Sequence, residues 1–364
     1  MTKRHPPVEY AEYLKLDRLL GSQSPKSVAY GRPAHDEMLF VIVHQAYELW
    51  FKQILHELDS VLALFRADSV DERSIGVALA RLARVTEIQK LLVDQLRVLE
   101  TMTPLDFLDF RDFLVPASGF QSVQFRMIEN KLGLLADRRA VAEKSLTGAS
   151  LSPEWRDALR ASETEPSLFA LVERWLERTP FLETPGFQFW VSYRRAVDEM
   201  LAGDRRTIET NPTLSEEEKR VQLLELDGTG TAFAALLDET THGRLMAEGR
   251  RRLSWPATQA ALFIHLYRDQ PILHLPFRFL TTLVDVDELL ATWRYRHALM
   301  VHRMIGTKIG TGGSSGHRYL LGTVERNKIF TDLYDLSTFL ISRSSLPALP
   351  PDVERRLGFY YPRE

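Results

Sequence analysis

One period dominates the chain. From Asp36 to Phe65, the residues Leu39, Val43, Tyr47, Trp50, Ile54, Leu58, Leu62 and Phe65 recur at steps of three and four. That spacing puts apolar side chains along one face of an α-helix. Asp36 and Glu37 fall in its first turn, where carboxylates suit the positive end of the helix dipole. A second long pattern, expected to be capped by Ser69, runs through Ile75, Leu79, Leu82, Ile88, Leu92 and Leu96. Thr103-Pro104 opens a shorter helix, with Asp106 placed for a capping box. Residues 116–119 break it, and helical spacing resumes over Phe120–Leu134. Ser152-Pro153 repeats the cap-plus-proline start, and Asp285–Ile305 reads as a further long helix. Alternating strand patterns and strand–helix alternation are lacking, so the expected fold class is all-α.

Two segments stand apart. Residues 204–255 carry 10 acidic and 8 basic residues, denser in charge than the whole chain, and are punctuated by Asn211-Pro212 and Gly228-Thr-Gly230. The expectation is a small charged helical insertion at the periphery. Residues 306–316 hold five of the 19 glycines. Lys308 lies upstream of the last glycine and not directly after it, so the segment is not a Walker A loop. It follows a helix, and Ser315 occupies the third fingerprint position, so it is not a dinucleotide fingerprint either. A bland surface loop and a lid that closes over a ligand both fit it.

Composition narrows the chemistry. With no cysteine, disulfides, thiolate metal sites, iron–sulfur clusters and cysteine nucleophiles are excluded. A net charge of −3 gives no nucleic-acid footprint. No apolar run approaches the roughly 20 residues of a membrane span, and the N-terminal stretch lacks an apolar signal core. A cytoplasmic protein with no membrane partner is expected.

The ten histidines show no His-Glu-x-x-His, and Glu239-x-x-His242 occurs without the second copy that a helical di-iron site needs. A haem asks for less: one axial imidazole and an apolar slot. His265, His297 and His302 all meet that condition, and spacing does not choose among them. His44 sits in an aromatic stripe with Phe40, Tyr47 and Phe51, as a core residue or a pocket wall. Arg111 has Phe107, Leu108, Leu114 and Val115 as its helical neighbours and no acid on that face. It suits a tertiary ion pair, snorkelling to water, or a clamp on a ligand carboxylate.

Several long strings then coincide: Tyr10-Ala-Glu-Tyr-Leu-Lys-Leu-Asp17, the run from His35 to Lys52, Thr103 to Arg111, Pro116 to Ser122, and Trp293-Arg-Tyr-Arg-His297 followed by Gly310-Thr-Gly-Gly-Ser-Ser-Gly316. In order and spacing the chain resembles the tryptophan 2,3-dioxygenases. The resemblance implies a helical haem-binding subunit of a homotetramer, with one haem b per subunit. The reaction it implies inserts both atoms of O2 across the indole C2–C3 bond of L-tryptophan, giving N-formyl-L-kynurenine at the head of the kynurenine pathway.

Residue by residue, His297 matches the axial ligand. His44 matches the distal histidine that meets the indole N–H, and Phe40 lines the same pocket. Arg111 matches the partner of the substrate carboxylate, and Thr311 a contact to the amino-acid end. Phe107 stands where some members have tyrosine, which implies one polar contact fewer there. Ser118 and Gly119 match the segment bordering the haem. Tyr10, Tyr13 and Leu14 match an N-terminal arm, residues 1–33, reaching a neighbouring subunit's pocket, with 34–364 as a single haem domain. A relative acting on a modified tryptophan, or a haem and tryptophan sensor without turnover, would carry the same strings.

Overall fold

The computed structural model describes residues 5–135, 151–179, 189–308 and 316–359. Three short helices come first: α1 (Tyr10–Leu14), α2 (Leu16–Leu20) and α3 (Lys26–Ala29). No residue of α1 or α2 is buried. The chain then turns into α4 (Glu37–Phe65) and α5 (Glu72–Leu99), which pack against each other. Helix α5 buries the stripe its sequence predicts, and α4 buries its own from Val43 to Phe65 except at Trp50, which is exposed. Leu58, Val61 and Leu62 of α4 and Ala78, Leu82 and Val85 of α5 are almost wholly enclosed. A fully buried side chain of the valine or leucine kind contributes roughly 1.5–3 kcal/mol.

Two expectations about helix starts change. The N-cap of α5 is Asp71, whose carboxylate accepts from Ser74 N–H; Ser69 lies two residues outside. Asp36 makes no side-chain capping bond. Glu37 is buried and turns away from its own helix, its two oxygens accepting from the N–H groups of Lys26 and Ser27. It therefore caps α3 and ties the N-terminal segment down.

Helix α6 (Pro104–Arg111) starts with the expected capping box between Thr103 and Asp106. A 3-10 turn (Gly119–Gln121) and the Ser122 cap precede α7 (Val123–Leu132), so helical backbone resumes later than the spacing over Phe120–Leu134 predicts. Gly133 ends α7 at φ 114°, and a Cβ there would stand 2.7 Å from the Phe169 Cβ, so glycine is required twice over. Next come α8 (Pro153–Thr164), capped by Ser152 as expected, and α9 (Leu168–Glu177).

Helices α10 (Phe189–Thr210) and α11 (Glu216–Leu237) form an antiparallel hairpin that spans most of the charge-rich stretch. Gly228 and Gly230 do not break it; both lie inside α11. Glycine costs about 1 kcal/mol in a helix interior, and the burial of Phe233 and Leu236 next to them offsets that.

Helix α12 (Glu239–Ala247) leads to α13 (Trp255–Leu266), in which Ala257 to Ile264 are all buried. A helix apolar all round belongs in the middle of a domain. Helix α14 (Pro271–Ile305) starts well before the expected Asp285 and runs through Pro276. It packs along α5 and against α15 (Gly316–Arg326), and α16 (Thr331–Asp335) and α17 (Pro351–Leu357) close the described chain. Among the described residues there is no strand, and no helix is long and apolar enough to cross a membrane.

Candidate active site

Helix α4 builds the first wall. Phe40, His44 and Tyr47 are spaced four and three apart and so share a face. The Phe40 and His44 rings lie 4.1 Å apart. The Nδ1 of His44 is 2.7 Å from the Phe40 carbonyl oxygen. A carbonyl only accepts, so Nδ1 carries the proton and donates, which leaves Nε2 as a bare acceptor. Burial holds the His44 pKa below its ordinary value, against the raising effect of that hydrogen bond and of Glu48. The ring is neutral near pH 7.

Helix α6 closes over Phe40. Phe107 and Phe110 stand 5.9 and 5.5 Å from it, centroid to centroid. Phe110 is buried completely, whereas Phe107 and the next residue beyond Phe110, Arg111, are half-buried. The end of α6 thus sets half-buried Arg111 next to an aromatic wall.

Helix α14 supplies the opposite side. Trp293 and His297, one turn apart, stack with centroids at 5.1 Å and planes 24° apart. Trp293 is held in turn. Its Nε1–H reaches the Tyr47 hydroxyl at 3.4 Å, and that hydroxyl donates to the Leu92 carbonyl at 2.6 Å. Phe125 of α7 packs on Trp293 at 5.1 Å and on Phe51 at 5.4 Å. Burial pushes the His297 pKa down to about 4, and His44, where protonated, adds to this, so it lies close enough for His297 to feel its charge. Nδ1 of His297 is enclosed and has no hydrogen-bond partner, while the ring as a whole keeps some accessible surface.

Three helices remote in sequence thus place Phe40, His44, Phe107, Arg111 and His297 in one neighbourhood. His265 and His302, equal candidates on spacing, are elsewhere. His265 is edge-on to Phe277, and His302 lies 4.1 Å from the His317 ring. Ser118 and Gly119 sit at the turn between α6 and α7, where Ser118 N–H donates to the Gln121 side chain. Tyr10, Tyr13 and Leu14 are on α1, exposed by 75, 75 and 40%. Thr311 lies outside the described residues. Tyr47, Phe125 and Trp293 emerge as the supports behind His297.

The donor set decides which group fits. Two neutral imidazoles stand among aromatic side chains, and the Nδ1 of one is buried without a partner. That suits a flat macrocycle with a single axial histidine. No group of three or more His, Cys, Asp or Glu able to hold a bare metal ion is present among the described residues. His242 is buried with Nε2 2.9 Å from the Leu253 carbonyl, so it serves the fold. A cavity of about 340 Å³ between Asp68–Ile75, Trp175–Thr179 and Ile272–Pro276 shares no residue with this site.

The family model described as tryptophan 2,3-dioxygenase matches residues 3–340. The tryptophan 2,3-dioxygenase of Bdellovibrio bacteriovorus is 54% identical over 98% of this chain and 100% of its own length. That of Dictyostelium discoideum is 51% identical over 97% of this chain and 88% of its own, and that of Xenopus tropicalis 48% over 96 and 86%. Matches of this extent cover every helix that builds the site, and the chain belongs to the tryptophan 2,3-dioxygenase family.

Proposed function

We propose that this chain is a haem-dependent dioxygenase that converts L-tryptophan and O2 into N-formyl-L-kynurenine, the first step of the kynurenine pathway. The observation that carries the reading is the pair of neutral imidazoles, His44 with its tautomer set by the Phe40 carbonyl and His297 stacked on Trp293. His297 would hold the haem iron, and Ser118 and Gly119 would border the macrocycle. When bound, haem supplies the oxygen chemistry, and a neutral imidazole ligand favours O2 binding without the electron push of a thiolate.

The protein's own work is binding and orientation. The indole N–H donates to the free Nε2 of His44, which sets which edge of the ring meets the reacting face. Phe40 and Phe107 supply flat apolar walls for the indole. Arg111 pairs with the substrate carboxylate, and Thr311 is assigned the amino-acid end on the family likeness alone. His44 thus positions the substrate more than it takes a proton from it.

A homotetramer is proposed on the family likeness, with the arm of one copy completing the site of another. The exposed Tyr10, Tyr13 and Leu14, together with Ile42, Leu49 and Trp50 on the outward face of α4, suit burial between copies. A cytoplasmic location is proposed on the same likeness. The reading is tested by giving the reduced, haem-loaded protein L-tryptophan under ¹⁸O2 and weighing the product. Two labelled atoms in a ring-opened product are expected; one labelled atom, or unchanged tryptophan, would overturn the assignment.

A further inference from the structure

One turn before His297, α14 carries a buried charge. Arg294 is 3% exposed, and its Nη2 donates to Glu129 Oε1 of α7 at 2.9 Å. The other Glu129 oxygen accepts from Arg126 at 2.6 Å. Asn327, just beyond the end of α15, donates from Nδ2 to Glu129 at 3.5 Å, and its carbonyl accepts from Arg294 at 3.4 Å. Phe125, one turn before Glu129 on the same face of α7, packs on Trp293. Two consecutive residues of α14, Trp293 and Arg294, are therefore gripped by two residues one turn apart on α7.

Stability alone does not account for this arrangement. Desolvating these three charges offsets most of their attraction, and well-packed apolar residues of the same volume often hold a fold as well or better. A bidentate-capable guanidinium with fixed partners does what a greasy contact does not: it fixes the azimuth of a helix. An imidazole nitrogen stands roughly 6 Å from its helix axis, so a rotation of about 10° moves it by about 1 Å. Displacements of that size in a positioning group cost up to about a hundredfold in rate.

We propose that Glu129 and Arg294 form a positioning pair that sets the rotation of α14, and with it the direction in which His297 presents its ring. Through α7 the same pair relates that direction to the Ser118–Gly119 turn on the other side of the site. The inference rests on the reading of His297 as the axial ligand.

The test replaces both charges at once, Glu129→Leu with Arg294→Met, and separately makes Arg294→Lys, which keeps the charge and loses the fork. Haem-loaded wild type and variants are compared by denaturant unfolding, by the iron–histidine stretching band of the reduced protein, and by kcat and KM. The double variant leaves Arg126 without its carboxylate, so a lowered unfolding midpoint is expected, with a shifted or broadened band. Its kcat should be about ten- to a hundredfold lower, at a KM within about twofold of wild type. A folded double variant with the wild-type band and kcat overturns the proposal. If that variant does not fold, Arg294→Lys decides: a shifted band supports positioning, and a wild-type band with wild-type kcat overturns it. A wild type without a histidine band would instead remove the axial-ligand reading, and this inference with it.

Discussion

Removing one carboxylate should free the N-terminal segment and leave the helical body standing. Glu37 is 1% exposed, and its two oxygens accept from Lys26 N–H at 2.7 Å and Ser27 N–H at 2.8 Å. Ser27, itself buried, accepts from Ala34 N–H at 3.0 Å, so the loop from α3 back to α4 closes on this one acid. A hydrogen bond to a charged partner is worth about 1.5–3 kcal/mol, so losing both in Glu37→Ala should cost at least roughly 3 kcal/mol of local stability. Each 1.4 kcal/mol is a factor of ten, so amide exchange at residues 26–34 should quicken by at least about a hundredfold. Glu37→Gln keeps one acceptor oxygen without the charge and should fall between. Hydrogen exchange read by mass spectrometry checks this, with urea unfolding of the same variants as the control. Unchanged exchange at 26–34 in a folded Glu37→Ala protein would refute the reasoning. So would a collapse of the whole domain in step with the segment, because the bonds would then belong to the global fold. If the arm completes a neighbour's site, kcat/KM falls in this variant while haem content holds.

Three further outcomes are expected. His297→Ala should lose bound haem and its Soret band, and wild-type haem content would refute the ligand assignment. Arg111→Ala should raise KM for L-tryptophan by about thirtyfold to several thousandfold, the range of a desolvated charge pair worth about 2–5 kcal/mol; decarboxylated tryptophan should show no such penalty. The pH profile follows from His44, whose pKa burial holds below its ordinary value. The competent form is the neutral one with Nε2 free, so kcat/KM should be flat at neutral and alkaline pH and fall as acid protonates the ring. A limb that fell on the alkaline side of neutrality with no acid limb would contradict that sign.

The helices themselves were legible because each carries its own instructions. The stripes of α4 and α5, the Thr103–Asp106 box and the Ser152 cap are local patterns, and local patterns survive into the fold. Where local signals misled, tertiary packing outweighed them. Gly228 and Gly230 read as punctuation, yet α11 runs through them because Phe233 and Leu236 beyond are held in the core. Glu37 read as a dipole partner for its own helix, yet it caps α3, because the chain folds back to meet it.

The site divides the same way. Its residue types and order were in the strings that resemble the family, down to Phe40, His44, Arg111 and His297. Spacing left His265, His297 and His302 equal, because one apolar helical histidine looks like another. Only the packed helices bring Tyr47, 246 residues away in the chain, to hold the Trp293 that stacks on His297. The tautomer of His44, the buried Glu129–Arg294 pair and the supports from Phe125 likewise depend on contacts between distant segments. Periodicity and caps are written along the chain because a helix bonds only to itself; a binding site is written across it, because its partners meet only when those helices pack.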